Sequence, residues 1–133
     1  LMRHPKAEEW ENRLKAVFDE IDHRLEERYG RDFPLHPARP PHGATANREH
    51  DGLFDLGAAF SAGFGSQQGP GYTLEIRMVT LQQIPPDIRS QIEAEVIDLL
   101  RQLLPAAFPN RTLRVSRDGL VFKIHGDLRL ESQ

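Results

Sequence analysis

Six apolar side chains set the first condition on this chain. Trp10, Leu14, Val17, Phe18, Ile21 and Leu25 recur at spacings of three and four, so a helix over 5–29 puts all of them on one face. Pro5 suits its first turn and Gly30 its C-cap. On the opposite face Glu9–Arg13, Glu11–Lys15 and Glu20–Arg24 are i,i+4 pairs, each worth a few tenths of a kcal/mol. An apolar stripe of this length needs a second layer to cover it. What that layer can be decides the fold.

The rest of the chain supplies strands and one more helix. Residues 72–80 alternate cleanly, with Tyr72, Leu74, Ile76 and Met78 against Thr73, Glu75 and Arg77. Residues 53–60 alternate less well. Asp55 and Gly57 weaken them, which fits an edge position. Residues 112–117 and 120–125 form a hairpin around Asp118–Gly119, a strong two-residue turn signal. Leu128 and Leu130 keep the parity of that last strand beyond Gly126. Pro85 and Pro86 open a second helix over 86–104. Its stripe is Ile88, Ile92, Val96, Leu99, Leu100 and Leu103, and Pro105 is expected to stop it.

The expected fold class is therefore α+β: a two-layer sandwich in the order αββαββ, with both helices on one face of a four-stranded antiparallel sheet. Two hairpins and a right-handed crossover through the second helix give a sheet order of 3-4-2-1. The same order results when a ferredoxin-like βαββαβ chain has its first strand moved to the C-terminus. With 133 residues the chain is expected to be one domain, 1–133. Leu1 ahead of Met2 reads as a vector scar, with Met2 as the natural start.

Composition excludes several classes of function. There is no cysteine, hence no disulfide frame, no thiol nucleophile and no thiolate metal site. The cytoplasm is the default expectation. The apolar runs fall far short of the ~20 residues of a membrane span, and no signal peptide is visible. Seventeen basic against twenty acidic side chains give a net charge of -3, so no nucleic-acid partner is expected.

The 10 prolines and 10 glycines are not spread evenly. Residues 30–52 follow no period, and the stretch RDFPLHPARPPHGATANREHDG within them holds four prolines and three histidines. A structureless loop longer than ~12–15 residues is uncommon inside a domain. This one must be ordered by packing, with Phe33 and Leu35 as anchors, or serve a function. Arg39, Asn47 and Arg48 are candidates for a small anionic ligand. His36, His42, His50 and Asp51 are candidates for a divalent metal, and His50–Asp51 for proton transfer, although their spacings match no close-set ligand motif.

A second unusual segment, GFGSQQGPG at 63–71, offers Ser66 and Gln67 as ligand contacts. It lacks both G-x-G-x-x-G and a Walker pattern. His125 and Asp127 form a second cluster, to which Ser66 is expected to be near. They are two residues apart on one strand, which suits no Ser–His–Asp relay.

No cofactor is identified, and no catalytic set has correct spacing. The first expectation is thus a small non-catalytic interaction or ligand-binding protein. It would be a homo-oligomer through the edge strand or the exposed sheet face. The alternative is a small enzyme, or a metal- or anion-dependent protein, working through 36–51.

Overall fold

The computed structural model describes residues 5–45, 51–62, 69–118 and 121–126. The elements are α1 (Pro5–Tyr29), β1 (Phe54–Ser61), β2 (Gly71–Met78), α2 (Pro86–Ala107), β3 (Leu113–Asp118) and β4 (Val121–Gly126). They form an α+β fold with one antiparallel sheet in the order β1-β2-β4-β3. This is the expected 3-4-2-1 read from the other edge. No helix among the described residues is long and apolar enough to cross a membrane.

The cover for the α1 stripe is now explicit. All six stripe residues and Tyr29 are buried against Phe54, Leu56, Leu74 and Ile76 of the sheet and against α2. Fully burying an aliphatic or aromatic side chain of this size is worth about 1.5–3 kcal/mol, so the stripe is the main thermodynamic reason α1 is helical. Trp10 packs against Phe108 in a tilted arrangement with 4.1 Å between ring centroids, and its indole N–H donates to the Tyr72 hydroxyl at 2.9 Å.

Three details correct the sequence reading. Pro105 does not stop α2, which runs on to Ala107. In the last turn a proline removes few hydrogen bonds, and Phe108 N–H still donates to Leu104 O at 2.8 Å. Phe108 then buries itself on Trp10, which repays the continuation. The buried face of α2 is also rotated from the expected stripe: Ile92, Val96, Ile97, Leu100 and Leu104 are buried, while Ile88, Leu99 and Leu103 are only partly so. Lastly, Gly30 lacks the left-handed backbone of many helix ends. It is needed because a Cβ there would sit 2.5 Å from the Glu26 carbonyl oxygen.

Among the described residues β4 pairs with β2 only over Gly71, Tyr72 and Thr73. Beyond that point the Ile76 carbonyl of β2 accepts from Arg89 of α2 at 2.5 Å. At the far edge the Val115 carbonyl of β3 accepts from Arg101 at 3.0 Å. On the face away from the helices Lys123 is nearly fully buried, with its stem against Gly71 and its ammonium donating to Gly69 O at 2.6 Å.

Candidate functional site

Most of the long loop is held by its own polar groups. Phe33 is buried, Leu35 packs on the core, and His36 N–H donates to the Val79 carbonyl at 3.0 Å. Arg39 turns its guanidinium onto backbone, donating to Gly52 O at 2.8 Å and Asp51 O at 3.0 Å. Asp51 Oδ2 accepts from both the amide and the hydroxyl of Thr45, at 3.0 and 2.8 Å. Burial alone would raise the Asp51 carboxyl. The Thr45 bonds, the Gly43 amide and nearby His42 outweigh it and hold the group below the usual carboxylate range. Gly52 closes the loop with φ +78, a backbone that favours glycine, and Leu53 N–H donates to Glu26 of α1.

A chain of imidazoles and carboxylates links this loop to α1. Glu27 Oε1 lies 2.7 Å from His23 Nε2, and His23 Nδ1 lies 3.4 Å from His42 Nε2. His42 Nδ1 lies 3.8 Å from the fully buried Asp51 Oδ1. The four groups step from an exposed carboxylate to a buried one. Beside them on α1 stands Asp22, 3% exposed, with Oδ1 accepting no hydrogen bond. Burial, then Asp19, Asp55 and Glu26, push its pKa up to about 8 against the pull of Arg39. At neutral pH this carboxyl is mostly protonated.

The sequence candidates are therefore placed as follows. Arg39, His42 and Asp51 come together at the α1 side of the loop. His36 caps its own loop, its Nδ1 accepting from Ala38 N–H at 3.1 Å. Asn47, Arg48, His50, Ser66, Gln67 and Asp127 lie outside the described residues. Among the described residues no three His, Asp or Glu side chains gather as a metal site. His125 meets Ser116 Oγ at 2.6 Å across β3 and β4.

The second feature of interest is the outer edge of β1. Val79 N–H donates to Leu53 O at 2.7 Å, in register with Phe54↔Met78. That bond marks 53 and 79 as a hydrogen-bonded pair, so the odd-numbered residues of β1 direct N–H and C=O to β2. Leu56, Ala58 and Phe60 then direct theirs outward from the sheet. Alongside runs a groove of about 450 Å³ between β1 and α1, floored by Leu14, Phe18, Leu56 and Ala58. Asp19 and Asp55, two of the acids that act on Asp22, line it as well. Phe60, on the helix-facing side of β1, is 62% exposed at its end.

Over residues 5–126 the chain matches a family described as "Uncharacterised protein". The chain belongs to that family. A relative from Borreliella burgdorferi (strain ATCC 35210 / DSM 4680 / CIP 102532 / B31), described as "Uncharacterized protein", is 35% identical over 125 residues. The match covers 94% of this chain and 98% of the relative. No solved structure matches the chain. The family match spans both helices and all four strands.

Asp22, His23 and Glu26 are the residues that sequence reasoning missed. A signal existed for Asp22. It stands four residues after Phe18 and three before Leu25, a carboxylate on the spacing of the buried stripe. His23 and Glu26 carry no such mark, because their partners lie 19 and 27 residues further along the chain.

Proposed function

We propose that this protein is a non-catalytic binding module that takes an extended segment of a protein partner along the outer edge of β1. One observation carries the reading. The eight-residue β1 lies at the sheet edge and turns the backbone groups of Leu56, Ala58 and Phe60 outward, beside an apolar-floored groove. Exposed edges are templates for strand addition, in which main-chain bonds give affinity and pockets for alternate side chains give selectivity. The opposite edge contrasts with it, being shorter and bonded at Val115 by Arg101. The loop supports the same reading, since Arg39 and Asp51 bond within it. The test is a titration of isotope-labelled protein with extended eight-residue peptides of alternating polarity. Amide shifts centred on Leu56, Ala58 and Phe60 are expected. Shifts confined to the loop, or none with any peptide, refute the proposal.

A second reading rests on the Glu27–His23–His42–Asp51 chain, whose ordered ring nitrogens suit proton transfer between the surface and a buried carboxylate. It keeps the long loop as a working site, metal- or anion-dependent through His36, His42, His50, Asp51 and Arg48. Metal analysis of untagged protein, with His23→Gln and His42→Gln as controls, separates it from the first. Bound metal lost in His42→Gln would favour it.

A further inference from the structure

We infer that the segment taken by the β1 edge is β1 of a second copy of this chain, joined about a two-fold axis at Ala58. The inference rests on the edge-docking proposal and adds the partner and the register.

The register follows from parity. Outward-directed groups belong to even-numbered residues, so two antiparallel copies of β1 bond even residue to even residue. Within Phe54–Ser61 two arrangements give the longest overlap. One centres on Gly57 and sets Phe60 beside Phe54 of the second copy. Phe54 is already covered, at 1% exposed, and offers nothing to fill. The other centres on Ala58 and sets Phe60 beside Leu56 of the second copy. Leu56 lies in the floor of the groove, with Ala58, Leu14 and Phe18 around it. In this register the exposed Phe60 ring of each copy enters the apolar-floored groove of the other.

The remaining pairs are compatible with this register. On the face away from the helices Gly57 meets Ala59, two small residues at the centre. Asp55 meets Ser61, which keeps the two Asp55 carboxylates apart. Like charges directly opposite would have opposed pairing. Tyr72, which meets Phe60 edge-on at 5.6 Å within one copy, remains behind the inserted ring. The product is a continuous eight-stranded sheet with both helical layers on one face. Its contact is isologous, as a two-fold requires.

Sedimentation equilibrium on the full chain over a broad concentration range tests this. A reversible dimer is expected. Phe60→Lys replaces a side chain that is mostly exposed in the single copy, so it leaves the fold intact and raises the dimer dissociation constant at least about tenfold. Ala58→Pro removes an outward N–H and no bond to β2, and should weaken the dimer similarly. Because the chain has no cysteine, single cysteines report the register. Residues in a hydrogen-bonded antiparallel pair lie about 5.5 Å apart at Cα, within disulfide reach. Oxidised Ala58→Cys should therefore give a covalent dimer, and Ser61→Cys should not. A dimer unmoved by Phe60→Lys and Ala58→Pro, or cross-linking at 61 but not 58, overturns the inference. So does a monomer at every concentration. If that monomer still shows peptide-induced shifts on β1, edge docking stands and only self-pairing falls; if it shows none, both fall.

Discussion

Replacing Asp22 with asparagine should stabilise the protein at neutral and alkaline pH, and the size of the gain follows from the burial of this carboxyl. In the unfolded chain Asp22 ionises near 3.8, and in the folded chain near 8. Between those values the unfolded state holds fewer protons than the native state, so stability falls as pH rises. Below 3.8 both states hold the proton and there is no penalty. Above 8 both are ionised and the penalty is complete, at about 6 kcal/mol from the separation of the two values. Between pH 5 and 8 the change is about 4 kcal/mol.

Asparagine has nearly the shape of the protonated acid and cannot ionise, so it removes the pH-dependent part. Part of the gain is lost because the amide brings two N–H donors into a space where Asp22 Oδ1 has no partner. The net expectation is a variant about 2–4 kcal/mol more stable at pH 8 and equal to, or slightly below, wild type at pH 5. Urea unfolding of both proteins at several pH values measures this, and the difference between them isolates the contribution of position 22. Parallel stability curves from pH 5 to 8, or a variant that is weaker at pH 8, would refute the reasoning. Either result would mean that Asp22 is ionised and paired in the native state.

Four other outcomes are expected. Arg39→Met removes two hydrogen bonds to the Asp51 and Gly52 carbonyls, costing about 2–4 kcal/mol and opening 31–52 to limited proteolysis at neutral pH. Leu100→Ala empties a fully buried position between the layers and should cost about 3–5 kcal/mol in urea unfolding. Lys123→Met keeps the stem over Gly71 but leaves the Gly69 carbonyl without its ammonium donor, a loss of about 1–3 kcal/mol by the same assay. Dialysis against a chelator should leave the thermal midpoint unchanged; a fall of several degrees would favour the metal-dependent reading of the long loop.

The fold was legible because its determinants are local and periodic. The α1 stripe and the alternation of 72–80 named the two layers, and the weak pattern around Gly57 placed β1 at the edge. Where a residue's role depends on distant partners, the pattern says less. Pro105 read as a helix stop because its lost N–H is visible in sequence, whereas the docking of Phe108 on Trp10, 98 positions away, is not. Lys123 lies on the outward parity of β4, and its approach to Gly71 and Gly69, which parity does not show, helps to bury it. The candidate sites were legible in part for the same reason. Arg39, His42 and Asp51 stood out by type within an aperiodic loop. Their partners Asp22, His23 and Glu26 are spread through a helix whose sequence advertises only its core.

Residue-resolved amide hydrogen exchange on β1, recorded across a concentration series, tests the central claim most directly. The odd-numbered amides of Asp55, Gly57 and Ala59 are bonded to β2 and should be protected at all concentrations. Those of Leu56, Ala58 and Phe60 should exchange freely in the dilute monomer and gain protection together as a second strand pairs. Uniform protection of both sets in the dilute monomer, or no gain at any concentration, would contradict an open edge that takes a second copy.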